Sequence, residues 1–339
     1  MPRAHCISTL LACLPLLACG DTGGSMADAS IDATGFALPE HFELHGHRGA
    51  QGLSPENTLP AFEKALDVRV TTLEFDTHPT ADGQVVIWHD RRIDASKCRV
   101  DPSADAPLPP DPDALPGGDD ALSLANLTLD QLHKYRCDRN PEPVRLPDQD
   151  DGPTPLAGDD FRVITLDELL DFVEQYATSD MKTPEQRAHA LEVRFNIENK
   201  RSADLPGDPF DGQNPGQFEE ALVEVIIRRQ IRQRTTLQCF NHELLWAMGS
   251  LLPDVGLVAL EQVPSDPFAL AANGATVWTP LYLTLREQHI VDAHQAGLRI
   301  IPYVVNTEAE MEFYVRLGVD GLITDRPDIG MALLERLSP

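Results

Sequence analysis

Short apolar runs alternate with amphipathic stretches along most of the chain, and this pattern restricts the fold more than any other feature. Strand candidates lie at residues 44–46, 71–76, 85–89, 193–200, 235–240, 256–261, 276–280, 299–305 and 321–325. Helical patterns lie between most of them, at residues 58–65, 166–176, 218–230, 243–252, 285–296 and 308–317. Strands that alternate with helices in this way indicate a parallel α/β fold.

The nine strand candidates exceed by one the number that an eight-stranded α/β barrel uses. Only a short turn containing Asp82-Gly83 separates Asp76 from Val85, whereas a parallel crossover needs about a dozen residues. These two strands should therefore form an antiparallel hairpin, which leaves eight parallel strands. We predict an α/β fold, a (β/α)8 TIM barrel with an extra β-hairpin, in one domain at residues 40–339. A doubly wound open sheet is the alternative, but no Gly-rich phosphate loop follows the first strand.

The N-terminal residues have the composition of an export signal. Arg3 precedes an apolar run at residues 7–17, which is too short to span a membrane and is followed by Ala18-Cys19-Gly20. Residues 16–19 resemble a bacterial lipobox, in which the cysteine is lipidated. We expect residues 1–19 to be a signal or lipoprotein peptide, Cys19 to carry lipid and residues 20–39 to form a flexible tether. The protein would then lie in the periplasm or cell envelope; a simple cleaved signal with an incidental cysteine is the alternative.

The charge balance limits the partners that the protein can bind. The chain has 27 Lys and Arg against 54 Asp and Glu, a net charge of −27. Binding to nucleic acid or to anionic lipid depends on basic residues that neutralise phosphates. We therefore expect no nucleic-acid partner, and membrane contact only through a lipid anchor. A substrate that carries phosphate would have to be small or held by a bound metal ion, unless the acidity serves only solubility.

A segment rich in Pro, Asp and Gly, residues 98–160, interrupts the alternating pattern and contains one modest helical pattern at residues 129–135. We interpret it as a loop-rich insertion on one face of the barrel, either a lid over the site or a solvated loop. Cys98 and Cys137 bracket part of this insertion, and export makes a disulfide chemically possible. We predict that bridge, with Cys239 free in a strand.

Two strand candidates place carboxylates on one face. Glu74 and Asp76 lie two residues apart, so their side chains point to the same side of a strand. Neighbouring carboxylates in a barrel interior repel each other unless a cation lies between them, and a hard divalent ion ligated by oxygen suits this arrangement. On a second strand Asn196, Glu198 and Lys200 share a face, where a metal ion and a phosphate oxygen could bind. A plain Glu–Lys ion pair is the alternative for that strand.

Two histidines follow strand candidates. His47 comes directly after the first strand, and His89 ends the returning strand of the hairpin, which should bring it near the carboxylates. Imidazoles titrate near neutral pH, so two of them beside a metal ion can serve as general base and general acid. His45 is predicted to be structural, because it either alternates away from the environment of His47 or packs below it.

The order and spacing of these motifs resemble the glycerophosphodiester phosphodiesterase family from residue 44 to residue 327. The matching motifs are His47-Arg48-Gly49, Pro55-Glu56-Asn57-Thr58, Glu74-x-Asp76, Thr80-x-Asp82-Gly83, Val86-x-x-His89-Asp90, Ile197-Glu198-Asn199-Lys200 and the run from Gly318 to Pro327. Tyr303 stands where the family has tryptophan, which keeps an aromatic wall but adds a hydroxyl group.

The resemblance implies a barrel whose site lies at the carboxyl ends of the strands. The implied metal ligands are Glu74, Asp76 and Glu198, for one divalent ion. The implied catalytic pair is His47 and His89. The residues implied to bind substrate are Arg48, Lys200, Glu56, Asn57 and Tyr303. Ligation by oxygen alone favours Ca2+ or Mg2+ over Zn2+.

The resemblance also implies the reaction. It is metal-dependent hydrolysis of a small glycerophosphodiester to glycerol 3-phosphate and an alcohol, with histidine acid–base catalysis. One alternative is a phospholipase-type phosphodiesterase that acts on intact or lyso-phospholipids. An alternative of another class is a non-catalytic solute-binding lipoprotein. That reading predicts the loss of at least one catalytic position, whereas all of them are present.

Overall fold

The computed structural model of the chain describes residues 38–39, 41–201 and 216–338. Within those ranges the strands, in chain order, are β1 (Glu43–Gly46), β2 (Thr72–Pro79), β3 (Val85–Ile87), β4 (Arg99–Val100), β5 (Tyr135–Arg136), β6 (Ile164–Thr165), β7 (Arg194–Asn199), β8 (Thr235–Cys239), β9 (Gly256–Glu261), β10 (Val277–Pro280), β11 (Arg299–Ile300) and β12 (Gly321–Thr324). The α-helices are α1 (Leu59–Asp67), α2 (Leu129–Leu132), α3 (Leu166–Thr178), α4 (Pro184–Glu192), α5 (Gln217–Arg228), α6 (His242–Leu251), α7 (Pro267–Ala272), α8 (Glu287–Gln295), α9 (Glu308–Leu317) and α10 (Pro327–Leu337).

The central sheet is parallel and closes into a barrel. Its strands follow the order β12-β1-β2-β7-β8-β9-β10-β11. At the seam, the backbone N–H of Ile323 donates to the Pro302 carbonyl at 3.0 Å, and the N–H of Val305 donates to the Ile323 carbonyl at 3.0 Å. These bonds join the chain after β11 to β12, so eight strands complete the ring. The predicted TIM barrel is confirmed.

The extra strand forms the antiparallel hairpin that the short turn predicts. Strand β3 runs back along the end of β2, with Thr77 opposite Ile87 and Pro79 opposite Val85. Gly83 in the turn has φ +77°, a conformation that glycine adopts without steric cost. The hairpin carries the chain past the carboxyl end of β2, where His89 follows.

Some predicted boundaries differ from the structure. The strand expected at residues 299–305 is regular only as far as Ile300, because Pro302 has no N–H to continue the ladder. The helical pattern at 129–135 forms a single turn, α2, and then enters strand β5. Three helices that the pattern did not predict are present, α4, α7 and α10.

The insertion shares one apolar core with the residues that flank it. Its members from the insertion are Cys98, Leu122, Leu124, Leu127, Leu132, Tyr135 and Cys137, and those from outside it are Val86, Trp88, Ile93 and Val163. Cys98 and Cys137 form a disulfide. None of the described residues that line the barrel cavity belongs to the insertion. In this structure the segment packs against the barrel through an apolar core and is not simply a solvated loop.

The expectations for the N-terminus lie outside the described residues. These are the signal peptide at residues 1–19, lipidation at Cys19 and the tether at residues 20–39, of which only residues 38–39 are described. Across the described ranges, no helix has both the length and the apolar composition needed to cross a bilayer. Cys239, buried in β8, is a free thiol.

Candidate active site

One cavity of about 440 Å³ opens at the carboxyl ends of the barrel strands. Its charged lining lies on the neighbouring strands β2 and β7 or just after β1, β3 and β7, whereas most of its apolar lining comes from β8 to β11 and the residues after them. The polar lining residues are His47, Arg48, Glu74, His89, Glu198, Lys200, Gln238 and Gln262, and the other side comprises Phe240, Leu260, Leu281, Tyr303, Val304 and Ile323. Charged and apolar surfaces thus face each other across a small space.

Three carboxylates meet on the polar side. Strands β2 and β7 pair in register, with Asp76 opposite Glu198, and Glu74 lies one inward-facing position below Asp76. Oxygen atoms of Glu74, Asp76 and Glu198 lie within 4.8 Å of one another, and all three residues are buried. Burial raises the pKa of Glu74 well above its usual value, and the charges of Asp76 and Glu198 raise it further. The cluster therefore carries more negative charge than its surroundings offset.

The chemistry of this cluster fits a hard divalent cation. Carboxylate oxygens are the ligands that Ca2+ and Mg2+ prefer, and a bound cation would relieve the repulsion. Asn57 donates from Nδ2 to Asp76 Oδ2 at 2.9 Å, while its buried Oδ1 has no hydrogen-bond partner among the described residues. A buried amide oxygen without a partner beside such a cluster is consistent with a ligand that binds there.

Two cationic side chains lie at the edge of the cluster. Lys200 Nζ is 2.9 Å from Glu198 Oε1 and 3.7 Å from Asp76 Oδ1. Arg48 Nε is 3.4 Å from Asp76 Oδ2, and the backbone N–H of Arg48 donates to Glu74 Oε2 at 3.1 Å. Burial alone would raise the pKa of Asp76, but His89, Arg48 and Lys200 together lower it below its usual value. Both cations line the cavity, where a phosphate group could reach them.

His47 is held by a carboxylate from the last strand. Its Nδ1 lies 2.6 Å from Asp325 Oδ1, and Gln51 Nε2 lies 2.5 Å from the same oxygen. An Nδ1–H that donates to Asp325 leaves Nε2 as the ring atom available to a substrate. Burial and the Arg48 guanidinium lower the pKa of His47, although Asp325 opposes the shift. The ring is thus neutral near pH 7, in the form that accepts a proton.

His89 has a comparable partner. Its Nδ1 lies 2.7 Å from Asp90 Oδ1. Asp90 in turn accepts a hydrogen bond from Lys97, which also donates to Glu56 Oε1 at 3.0 Å. Each histidine of the cavity therefore has a carboxylate on Nδ1.

The remaining predicted substrate contacts divide into two groups. Glu56 and Asn57 do not line the cavity: Glu56 Oε2 accepts from Arg48 at 2.8 Å, and Asn57 donates to Asp76. In this structure both residues hold other site residues. Tyr303 does line the cavity, with its ring 6.1 Å from that of Phe240. Its hydroxyl group donates to the Glu261 carbonyl at 3.3 Å, so the aromatic wall keeps an apolar face.

Several site residues had no role assigned from the sequence. Asp325 and Asp90 hold the two histidines, Gln51 contacts both His47 and Asp325, and Gln238 Nε2 donates to Glu74 Oε1 at 2.5 Å. A polar residue immediately after an apolar strand was the available signal for Asp325, because strand ends meet at one rim of a barrel.

Comparisons with known proteins agree with this geometry. The sequence model of the glycerophosphoryl diester phosphodiesterase family matches residues 47–329. A glycerophosphodiester phosphodiesterase of Bacillus subtilis is 27% identical over 303 residues, which cover 86% of each chain. A crystal structure assigned as a glycerophosphoryl diester phosphodiesterase, from Silicibacter pomeroyi, has a TM-score of 0.71 and 26% identity, covering 88% of this chain and 95% of that one.

A further solved structure has the same fold. It is a phosphodiesterase from Oleispira antarctica in complex with the product sn-glycerol-3-phosphate, at a TM-score of 0.62 and 18% identity, covering 88% of this chain and 97% of that one. The family match spans most of the described barrel and includes every residue that the cavity brings together. The chain therefore belongs to the glycerophosphoryl diester phosphodiesterase family.

Proposed function

We propose that this protein hydrolyses glycerophosphodiesters to glycerol 3-phosphate and an alcohol, in a reaction that depends on a divalent metal ion. The observation that carries the proposal is the grouping, in one cavity, of a buried carboxylate cluster and two histidines that each have a carboxylate on Nδ1. The sn-glycerol-3-phosphate bound to the related Oleispira protein supports the substrate class.

The polar side of the cavity suits a phosphodiester. Glu74, Asp76 and Glu198 would hold the metal ion, which supplies Lewis-acid stabilisation of the charge that develops on the phosphate oxygens. Arg48 and Lys200 donate charge-assisted hydrogen bonds to the same phosphate group and keep it against the carboxylate cluster. The apolar wall, with Phe240 and Tyr303, covers the carbon skeleton of the substrate and excludes water from that side.

The histidines transfer the protons. His47, whose pKa is lowered by burial and by Arg48, accepts the proton from the attacking oxygen at Nε2. That oxygen belongs either to water or to the neighbouring glycerol hydroxyl group. Attack by water expels the alcohol and gives glycerol 3-phosphate directly. Attack by the hydroxyl group expels the alcohol and gives a cyclic glycerol phosphate, which water opens in a second step. His89 donates a proton to the oxygen of the leaving alcohol. Asp325 and Asp90 keep the two rings oriented through Nδ1.

The proposed metal is Ca2+ or Mg2+. All the candidate ligands are oxygens, and these are the ligands of hard cations rather than of Zn2+.

The test is release of glycerol 3-phosphate from glycerophosphocholine and glycerophosphoethanolamine, using chelator-treated enzyme with each divalent ion restored in turn. We expect release only with a restored ion, and almost none from His47→Gln or His89→Gln at unchanged metal content. His45→Gln is the matched control, because His45 lies in β1, two residues before His47, but hydrogen-bonds Glu43 below the site, at 2.7 Å.

Other outcomes would redirect the proposal. Turnover of phosphatidylcholine vesicles with no turnover of the glycerophosphodiesters would favour the phospholipase alternative. Folded, metal-loaded protein that is inactive on both substrates would favour the non-catalytic reading. Full activity in either histidine variant would remove the acid–base assignment.

We also propose that the protein works outside the cytoplasm, anchored through Cys19. The apolar run before Cys19 supports export, and the Cys98–Cys137 disulfide is the kind of bond that persists in oxidising compartments. Mass spectrometry of the protein purified from membranes should find a lipid-modified N-terminal cysteine, and Cys19→Ala should move the protein to the soluble fraction. An unmodified Cys19 in the mature protein would contradict the proposal.

A further inference from the structure

The insertion reaches the active site through the carboxylate behind His47. Arg145, within the insertion, lies with NH1 2.6 Å from Asp325 Oδ2, while the other oxygen of Asp325 faces His47. The Asp325 side chain is fully buried and the Arg145 side chain is 42% exposed. The guanidinium of Arg145 therefore contacts the Asp325 oxygen that points away from His47, while the other oxygen orients His47.

The residue immediately before the insertion, Lys97, has the same relation to His89. Lys97, next to the disulfide-bonded Cys98, donates to Asp90 Oδ2, and the other oxygen of Asp90 faces His89. Lys97 also donates to Glu56, the partner of Arg48, and its Nζ lies 5.7 Å from the centre of the Trp88 ring. In both histidine–carboxylate pairs, the carboxylate thus also contacts a cationic side chain. Arg145 belongs to the insertion, and Lys97 directly precedes it.

The backbone around both cations is fixed by the insertion itself. The N–H of Arg139 donates to the Lys97 carbonyl at 3.1 Å, and the disulfide ties the next residue to Cys137. Arg145 Nε donates to Glu142 Oε2 at 2.7 Å. Beyond Arg145, Gln149 donates to the Gln51 carbonyl at 2.7 Å, in the loop that holds His47. The cations are therefore held at defined positions.

The electrostatics explain why these carboxylates need cations. Asp90 and Asp325 are additional negative charges beside a cavity that already contains three buried carboxylates. Burial opposes their ionisation, but His89 and Lys97 lower the pKa of Asp90, and His47 and Arg145 lower the pKa of Asp325. Each carboxylate therefore stays ionised and keeps accepting from its histidine.

We propose that Lys97 and Arg145 are positioning residues, through which the disulfide-closed insertion holds the two catalytic histidines in their working orientation. This inference rests on the proposed function for the roles of His47 and His89. It assigns to the insertion a part in catalysis that requires no contact with the substrate.

The test compares Lys97→Met and Arg145→Gln with variants matched to each. Loss of an outer partner of a metal ligand typically costs about 10- to 100-fold in metal affinity or activity, and by analogy we expect kcat to fall by that factor in Lys97→Met, and by less in the half-exposed Arg145→Gln. KM and metal content should stay close to those of the wild type, because neither side chain lines the cavity. Lys97→Arg, which keeps the charge, should recover most of kcat.

The chain offers a close control for each variant. Lys182 also lies between two carboxylates, Glu63 at 2.5 Å and Asp67 at 2.7 Å, and above the Tyr176 ring at 4.7 Å, away from the cavity. Arg99 is an insertion residue that pairs with Asp138 at 2.6 Å and is 37% exposed. Lys182→Met and Arg99→Gln should leave kcat unchanged in the folded protein. An equal loss of kcat in these controls would mean general destabilisation and would overturn the inference.

A second measurement tests the orientation of the two imidazole rings and does not depend on enzymatic activity. In 15N-labelled protein, the Nδ1–H signals of His47 and His89 should be protected from solvent exchange in the wild type. Arg145→Gln should weaken protection at His47 alone, and Lys97→Met at His89 alone. If the wild-type protein is inactive, the proposed function is refuted. The exchange measurement then still tests whether Lys97 and Arg145 position the two histidines. Unchanged protection in both variants, or unchanged kcat in both, would overturn the inference.

Discussion

The two ends of the barrel interior both contain buried carboxylates, but the neighbouring cations neutralise them more completely at one end than at the other. At the amino end of the strands, Glu43 accepts from Arg299 NH1 at 2.6 Å and lies 2.7 Å from His45 Nε2. At the carboxyl end, Glu74 lies in a cluster with Asp76 and Glu198. The same strands β1, β2 and β7 contribute to both ends, so the difference comes from the partners of each carboxylate and not from the fold.

The contrast appears in the direction of the pKa shifts. Burial alone would raise the pKa of Glu43, but His45 and Arg299 lower it below its usual value. Burial and like charges raise the pKa of Glu74 instead. A buried carboxylate can therefore stabilise a barrel when an oppositely charged side chain lies beside it. Where that counter-charge is insufficient, the site is built for a ligand that supplies it.

The largest expected effect is on catalysis at the carboxyl end. Glu74→Gln removes one candidate metal ligand while keeping the size of the side chain. Loss of the metal would withdraw several kcal/mol of transition-state stabilisation, and since about 1.4 kcal/mol is tenfold in rate, we expect kcat/KM to fall about 100- to 1,000-fold. Steady-state kinetics with glycerophosphocholine at saturating Mg2+ or Ca2+ measures this. Activity within a few-fold of the wild type would show that Glu74 is not part of the metal site.

The next effect concerns metal binding and stability together. An ion at 100 times its dissociation constant should raise the free energy of unfolding by about 2.7 kcal/mol. Calorimetry with and without chelator should show this increase in the wild type and its absence in Glu74→Gln. Without metal, Glu74→Gln should be at least as stable as the wild type, because the amide removes a like-charge repulsion. A metal-free variant that is much less stable would mean that Glu74 is already neutralised by the protein.

At the amino end the same substitution should have the opposite consequence. Glu43→Gln removes the negative charge that Arg299 and His45 face, while the amide oxygen keeps one hydrogen-bond acceptor in that place. A charged group that loses its partner in a mostly buried position costs about 1–3 kcal/mol, so the free energy of unfolding from urea titration should fall by that amount. The variant should keep wild-type kcat and metal binding. A loss of activity in folded Glu43→Gln would contradict the separation of the two ends.

The sequence was sufficient to predict the scaffold and the candidate ligands, because both depend on local patterns. The short turn before Val85 required a hairpin, and the two-residue period of strands placed Glu74 with Asp76 and Asn196 with Glu198. The spacing of the motifs then indicated His47 and His89 as the candidate acid–base pair. These inferences need only the geometry of a single strand or turn.

The rest of the site depends on contacts between residues that are far apart in the chain. His47 and Asp325 are 278 positions apart, and Arg145 and Asp325 are 180 apart. No local pattern pairs them, and the insertion gave no strong secondary-structure signal because its core is built around a disulfide and short turns. For the same reason, the contacts of Glu56 with Arg48 and Lys97 were not predicted from the sequence.

The smallest expected effect is a pH dependence that isolates the amino end. The pKa of Glu43 is lowered in the folded protein from its usual value of 4.5, so its contribution to stability is complete above that value and is lost as the pH falls below it. Glutamine does not titrate, so the difference in unfolding free energy between wild type and Glu43→Gln should shrink as the pH falls from about 5 to 3.

Other carboxylates titrate in both proteins, and their contributions cancel in this difference. Urea titrations of both proteins at several pH values between 7 and 3 provide the measurement. A difference that stays constant down to pH 3 would mean that Glu43 contributes by hydrogen-bond geometry alone and not by its charge. The two ends of the barrel would then differ in how tightly their carboxylates pack. Charge neutralisation by Arg299 and His45 would not be the reason that Glu43 can be buried at the amino end.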